Sequence, residues 1–468
     1  MSAFAKVDAG FISSLKKICG DEHVLTSNED LVNHSHDYTE DLHYNPEVVV
    51  RPGNEDEVCA IVKLCNEKMI PLTPRGAGTG LSGGALPVHG GVVLSTSRFN
   101  RIIEIDERNL QATVEPGVIN QVFKDAVSER GLFYPPDPAS RGSCYLGGNL
   151  AECAGGPAAV KYGVTKDYVL NVRVVLPTGE AIWTGANVLK NSTGYNLTQL
   201  IVGSEGTLGI ITKIVFRLIP KPAHDLLMLV PFTSPERACE AVSAVFRAGI
   251  TPSAMEFMER DAIDFVLKYV DVTMDIPSSI KAHLLIAVDG NDVDSLFKDC
   301  ERITEVMERF GASEVLFADN DKQKGELWKM RRAVGEAVKS HSIYKEEDTV
   351  VPRAELPKLL AGVKQIGGKY GFKSVCYGHA GDGNLHVNII KDQLSDDDWN
   401  NKVPLGIREI FELCVSLGGT ISGEHGIGLV QKSYMDIPFN NVQLDLQKGI
   451  KKLFDPNGIL NPGKMFPE

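Results

Sequence analysis

Two short stretches concentrate groups able to do chemistry. Residues 378–386 read GHAGDGNLH and set His379 and His386 seven positions apart, with glycines, an aspartate and an asparagine between them. Residues 418–428 read GGTISGEHGIG and set Glu424 beside His425. Two imidazoles and a carboxylate are donor types that hold a divalent cation, with positions left open for a substrate. A single histidine in such a turn argues for little, but the H-x6-H pair followed by GEHG argues for a metal site. After the turn, LHVNII alternates with period two, so His386 and Asn388 share one face and Leu385, Val387 and Ile389 the other. The apolar face belongs in the core and the polar face toward a ligand. The AGDGN turn folds the chain back and brings His379 toward His386, as in a hairpin. Glu424 and His425 point apart in an extended segment and converge in the turn that Gly423 and Gly426 offer.

A different kind of site is written in glycine. In PLTPRGAGTGLSGGAL (71–86), Gly78, Gly80 and Gly83 have G-x-G-x-x-G spacing. A dinucleotide fingerprint of that form opens a helix. Here Pro87, more glycines and the strand-like GVVLS follow, so no helix begins. What remains is a loop whose backbone N–H groups surround a phosphate, with Arg75 and Thr79 for polar contacts. Two further clusters run from YPPDPAS through SCYLGGNLAECAGGPAAVKYG (134–163) and over GSEGTLGIIT (203–212). Three such clusters in one half fit an extended nucleotide cofactor lying along backbone.

These sites need elements to hold them. Between about 45 and 220, short β-like runs (EVVVR, GVVLS, IIEID, VRVVLPTG, IITKIVFRLI) alternate with two helical segments, EDEVCAIVKLCNEKM and VINQVFKDAVSERG, the latter stopped at Gly131. Beyond 222, longer helices (SPERACEAVSAVFRAG, SAMEFMERDAIDFVLKYV, DSLFKDCERITEVMERFG) alternate with strands such as AHLLIAVDG, which predicts a second domain on an antiparallel sheet. The expected division is an N-terminal helical segment 1–42, a cofactor domain 43–221, a substrate domain 222–435 and a returning tail 436–468. The class is α+β. The net charge of −13 over 468 residues argues against nucleic-acid binding. Nine cysteines, none in C-x-x-C, argue against a disulfide framework and an iron–sulfur module. The N-terminus lacks the apolar core of a signal peptide, and the longest apolar run, DLLMLVPF, is far short of the roughly 20 residues of a membrane span. A cytoplasmic protein is expected, with peripheral contact at the inner membrane face left open.

PRGAGTGLSGGA, PPDP, GGNLAECAGG, KYG, GSEGTLGIIT and the terminal NPGK resemble, in order and over nearly the whole chain, the FAD-linked oxidases of the vanillyl-alcohol oxidase and p-cresol methylhydroxylase type. The resemblance is to the branch of glycolate oxidase subunits, D-lactate dehydrogenases and D-2-hydroxyglutarate dehydrogenases. It implies a two-part FAD-binding domain and a C-terminal α+β cap with an antiparallel, ferredoxin-like sheet. It assigns the FAD pyrophosphate to Arg75, Gly76, Ala77, Gly78, Thr79, Gly80 and Ser82. It lines the rest of the flavin with Pro136, Asp137, Ser143, Gly147, Gly148, Asn149, Ala151, Tyr162, Gly163, Glu205, Gly206, Ile210 and Ile211, and brings Asn461 from the tail. No histidine lies between 71 and 88, so the histidyl tether of some relatives is absent and non-covalent FAD is implied.

GHAGDGNLHVN and GEHGIG resemble the metal motifs of the 2-hydroxyacid branch. They imply His379, His386 and Glu424 as ligands of zinc or a similar ion, Asn388 near the substrate and His425 as the base. The W-x-x-R of LWKMRRAVGEA points to Arg331 for the substrate carboxylate. Lys345 matches an extra lysine of relatives that bind a dicarboxylate, and Arg353 is a further cation. Gly335 stands where those relatives carry threonine, which tilts the reading to a monocarboxylate. The implied enzyme oxidises a D-2-hydroxyacid, D-lactate first and glycolate or D-2-hydroxyglutarate behind. Electrons pass to a separate acceptor, an electron-transfer flavoprotein, an iron–sulfur subunit or a quinone, and a homodimer is compatible. The competing classes are a flavin-using transferase of the ether-lipid synthase type, a metallohydrolase that binds a nucleotide, and a degenerate binding protein.

Overall fold

The computed structural model describes residues 4–39, 42–272, 274–318 and 320–467. The chain divides into two compact units: Met1–Ala154, Val164–Lys221 and Glu424–Glu468 form the first, Gly155–Gly163 and Pro222–Gly423 the second. Residues 155–163 thus join the second unit and 424–435 the first, each opposite to the sequence-based division.

In the first unit, β1 (Val24–Leu25), β2 (Val48–Val50), β3 (Leu72–Arg75) and β4 (Val92–Ser95) make a sheet in the order β1-β2-β4-β3. β2 and β3 both run parallel to β4. The helix Glu55–Lys68 supplies the crossover between β2 and β3. It is capped by the Asn54 side chain and buries Val58, Ile61, Val62 and Cys65, the stripe its spacing predicts. The tail returns to this sheet: Leu72 N–H donates to Ile459 at 2.8 Å and Asn461 N–H to Leu72 at 2.8 Å. A second, antiparallel sheet joins β5 (Ile102–Asp106), β6 (Gln111–Val114), β8 (Val169–Val175), β9 (Ala181–Trp183) and β10 (Ile210–Arg217) in the order β5-β6-β10-β8-β9. A two-stranded pair completes the unit, β7 (Leu132–Phe133) with β11 (Ile219–Pro220). Residues 76–91, between β3 and β4, contain no helix or strand, as the proline and glycines predict.

The second unit is built on one sheet. β12 (His224–Phe232), β13 (Ala254–Glu259), β14 (Ala282–Gly290), β15 (Leu316–Phe317), β16 (Tyr344–Val350), β17 (Lys373–Gly378) and β18 (Asn384–Ile390) lie in the order β15-β12-β14-β13-β17-β18-β16. Their pairings are antiparallel throughout. One expectation fails here. SAMEFMERDAIDFVLKYV reads as a single helix, but its first part is β13 and only Arg260–Tyr269 is helical. Both neighbours of β13 hold it as a central strand, so tertiary pairing overrides the helix preference of Met and Glu. Among the described residues, no helix is long and apolar enough to cross a membrane.

Candidate active site

The glycine clusters of the first unit meet backbone to backbone. A Cβ at Gly76 would lie 3.8 Å from Gly148 Cα, so the loop after β3 faces the helix Leu146–Glu152, which carries Gly147, Gly148, Asn149 and Ala151. A Cβ at Gly206 would press on Pro74 Cγ at 2.5 Å, and Gly206 has φ +66°. Asn461, itself at φ +43°, donates through Nδ2 to the carbonyls of Gly84 at 3.0 Å and Glu205 at 2.8 Å. Gly78 has φ +73°, and the Arg75 guanidinium fills the position a Cβ would occupy, so both backbone and space call for glycine there. The Cβ sides of Gly80 and Gly148 are open, with nothing within 4 Å. Around this cradle Arg75 Nη1, Ser82 Oγ and Asn149 Nδ2 are buried without hydrogen-bond partners. Orphaned buried donors beside bare backbone call for a polar group to satisfy them.

Other residues assigned to the cofactor are arranged less directly. Asp137 pairs with Arg141 at 3.3 Å, the Pro136 carbonyl accepts from Asn120 and Lys124, and Ser143 Oγ donates to the Ser140 carbonyl at 3.2 Å. The Ile210 side chain enters the apolar core with Val58 and Val62, while Ile211 is half-buried. Tyr162 and Gly163 belong to the second unit, where the Tyr162 hydroxyl donates to Asp289 at 2.9 Å.

Beneath the glycine clusters lie two buried carboxylates. Glu205, held at φ +52°, accepts from Ile427 N–H at 2.8 Å and Gly428 N–H at 2.6 Å, and so fixes the chain just past GEHG. Burial pushes its carboxyl up to about 7 against the pull of those two N–H groups. Burial and the neighbouring Glu205 charge raise Glu152 as well. Lys464, also buried, is pushed down to about 8 by desolvation. His425 Nε2 lies 4.0 Å from Glu424 Oε1, and Gly426 has φ +80°.

In the second unit, β17 and β18 form the hairpin the turn predicts, with Tyr377 opposite His386. β16 lies on the other side of β18 and pairs Glu346 with Asn388 and Asp348 with His386. The expected polar face therefore carries His386, Asn388, Tyr377, Glu346 and Asp348. It is buried, not open. The His379 and His386 rings meet edge to face with centroids 5.3 Å apart. His386 Nδ1 is 3.6 Å from Asp348 and 3.9 Å from Glu346. Asp348 also accepts from Asn384 Nδ2 at 2.7 Å, Ser422 Oγ at 3.0 Å and Gly423 N–H at 2.8 Å. It thereby anchors the residue from which the chain passes to Glu424.

His379 Nδ1 lies 2.9 Å from each oxygen of Glu256 on β13. Arg331, buried on the helix Asp321–Arg332, reaches the same carboxylate at 2.6 Å and lies 5.2 Å from the centre of the Tyr377 ring. Burial opposes ionisation of Glu256, but His379 and Arg331 outweigh it and hold the carboxyl below its ordinary range. Arg331 Nε and both amide atoms of Asn388 are buried without a hydrogen-bond partner.

Two of the proposed cations are displaced from this face. Lys345 pairs with Ile389, so period two sends it to the other side of the sheet, where its ammonium sits 5.1 Å from the centre of the Trp399 ring. Lys345 is accordingly removed from the substrate site. Arg353 stacks on Phe246 at 3.8 Å.

The comparisons with known proteins agree with this architecture. Residues 46–185 match an FAD binding domain and residues 221–465 match the FAD linked oxidases, C-terminal domain. The chain belongs to the FAD-linked oxidases. This member is 39% identical over 455 residues to the glycolate oxidase subunit GlcD of Bacillus subtilis (strain 168), covering 97% of this chain and 96% of the relative. It is 38% identical to a D-lactate dehydrogenase of Anaerostipes hadrus, covering 99% and 98%. It is 32% identical to a D-2-hydroxyglutarate dehydrogenase of Stutzerimonas stutzeri (strain A1501), covering 98% and 99%. Among solved structures, p-cresol methylhydroxylase with substrate bound superposes with TM-score 0.80 at 20% identity, covering 97% of this chain and 96% of that one. That likeness shows the fold. The FAD-linked oxidase is thus an oxidoreductase that binds FAD, on a two-domain scaffold.

Sequence reasoning missed Glu256, Asp348, Glu346, Glu152 and Lys464. The period-two pattern of YKEEDTV carried a signal for Glu346 and Asp348, and NPGK one for Lys464. Glu256 was hidden by the helix reading of its segment.

Proposed function

We propose that this FAD-linked oxidase oxidises a small 2-hydroxyacid, D-lactate first or the achiral glycolate, to the 2-oxoacid and passes the electrons to a separate acceptor. The observation that carries the reading is a set of buried polar atoms in want of a ligand, Arg331 Nε and the Asn388 amide, beside the paired imidazoles of His379 and His386. An α-hydroxy carboxylate answers that set. Arg331 binds the carboxylate as a charge-assisted donor. Asn388 fixes the orientation of the hydroxyl and carboxylate oxygens. His425 takes the hydroxyl proton as the substrate carbon is oxidised, a task matched to an imidazole near neutral pH.

Arg75, Gly76, Ala77, Gly78, Thr79, Gly80 and Ser82 would hold the FAD pyrophosphate without a covalent link, and His379, His386 and Glu424 a divalent cation, zinc by donor type. Two observations fit these groups: the orphaned donors of the glycine cradle, and a His379 whose Nδ1 is already engaged by a carboxylate, as in metal-binding histidines. When bound, FAD accepts the hydride and the cation acidifies the hydroxyl. Support for a monocarboxylate comes from the glycolate- and lactate-named relatives and from the resemblance that expects threonine, not Gly335, at this position in dicarboxylate binders.

The test is an anaerobic panel of 2-hydroxyacids read by flavin absorbance, with and without chelator. D-lactate or glycolate is expected to bleach the flavin, and prior chelation to abolish bleaching. Unchanged absorbance with every 2-hydroxyacid overturns the reading.

A further inference from the structure

Glu256 has no side-chain surface exposed to solvent, on the central strand β13. Its partners come from different places in the chain. His379, 123 residues away, puts Nδ1 at 2.9 Å from both carboxylate oxygens, and Arg331 on a separate helix puts Nη2 at 2.6 Å from Oε2. A buried carboxylate persists in ionised form only where cations or strong donors surround it, and here one imidazole and one guanidinium do so.

The arrangement fixes two groups at once. With Nδ1 given to Glu256, His379 is held in one ring orientation and one tautomer, so that Nε2 is the ring nitrogen a cation would take. With one arm of the guanidinium ion-paired to Glu256 and its central carbon 5.2 Å from the centre of the Tyr377 ring, Arg331 is held in place while Nε and Nη2 both still lack a hydrogen-bond partner.

We propose that Glu256 is a positioning residue that couples the cation site to the substrate-carboxylate site, by orienting His379 and Arg331 through a single carboxylate. This rests on the function proposed above. It predicts that one substitution, touching neither cation nor substrate, weakens both. A residue of purely structural importance would lower stability and leave the affinities of the folded fraction unchanged.

The experiment uses the full-length holoenzyme and its Glu256→Gln and Glu256→Asp variants. Zinc affinity is read by competition with a chelating dye, KM and kcat with D-lactate, and folding by thermal unfolding. Glu256→Gln is expected to weaken zinc binding about 10- to 100-fold, the range for loss of a residue that orients a metal ligand. KM is expected to rise about tenfold or more, by more than kcat falls. Glu256→Asp, which keeps the charge on a shorter arm, is expected to fall between Gln and wild type on both readouts. A folded Glu256→Gln with zinc affinity and KM within twofold of wild type overturns the proposal. Should the Gln variant not fold, wild-type zinc affinity and KM in Glu256→Asp overturn it equally. Wild-type protein that takes up no divalent cation overturns the proposed function, and this inference with it; zinc binding by wild type with an unaffected variant overturns the positioning role alone.

Discussion

The two units build their sites from different material. In the first, the site is backbone: Gly76 against Gly148, Gly206 against Pro74, and Asn461 holding the carbonyls of Gly84 and Glu205. In the second it is side chains: Glu256, Arg331, His379, His386, Asp348 and Asn388, projected from strands, the turn between β17 and β18, and one helix. Buried carboxylates show the same contrast. Glu205 has two N–H partners and burial pushes it up, whereas Glu256 lies between His379 and Arg331 and is held down. A backbone site is damaged by adding atoms, because a Cβ occupies the space the ligand or a neighbouring loop needs. A side-chain site is damaged by removing them, because buried partners are left unpaired.

That contrast is most exposed at His386. His386→Asn is expected to leave flavin content at the wild-type level and to lower the rate of flavin reduction by D-lactate by about 10³-fold, the scale of losing a metal's several kcal/mol of charge stabilisation. A rate within tenfold of wild type would remove the second unit from the chemistry.

The mirror experiment adds one methyl group. Gly206→Ala places a Cβ 2.5 Å from Pro74 Cγ at φ +66°. Such strain costs about 1–3 kcal/mol, so FAD retention is expected to weaken about tenfold or more, with zinc affinity unchanged. FAD titration of the apoprotein measures this. Wild-type affinity would refute the backbone account.

The raised carboxyl makes a pH prediction. Glu205 titrates at about 7 when folded against 4.5 as its ordinary value, so its folded form is the better proton binder. The stability it contributes is full below 4.5 and is lost as pH rises toward about 7. Denaturant unfolding at pH 5 and pH 8 is expected to show a smaller difference in Glu205→Gln than in wild type. An equal difference in both would assign that pH dependence to other groups.

The smallest effect is expected at Lys345. On the far side of the sheet, against Trp399, Lys345→Ala should change KM for D-lactate less than twofold. A tenfold rise would return it to the site.

Much of this was legible in the chain. The glycine clusters exclude a helix after β3 by their own backbone freedom and by Pro87, and the loop 76–91 follows. The alternation in LHVNII places His386 and Asn388 on one face, and the register of β16 and β17 agrees. The failures share a cause. Glu256 lies in a segment of good helix formers that runs directly into a helix, so local preference conceals the strand that its neighbours impose. Lys345 could be numbered but not faced without the β16 register. The pairing of Glu205 with Ile427 and Gly428 spans over 220 residues, which no local pattern reports.

The sequence by itself determined where backbone would be bare and which strand would carry His386 and Asn388, because glycine content, period and turn chemistry act over a few residues. Tertiary structure alone decided that Glu256 joins His379 to Arg331, that Asp348 anchors the step to Glu424, and that residues 155–163 belong with the second unit. Those outcomes depend on strand order and register, and strand order is set by long-range burial that the local chain does not encode.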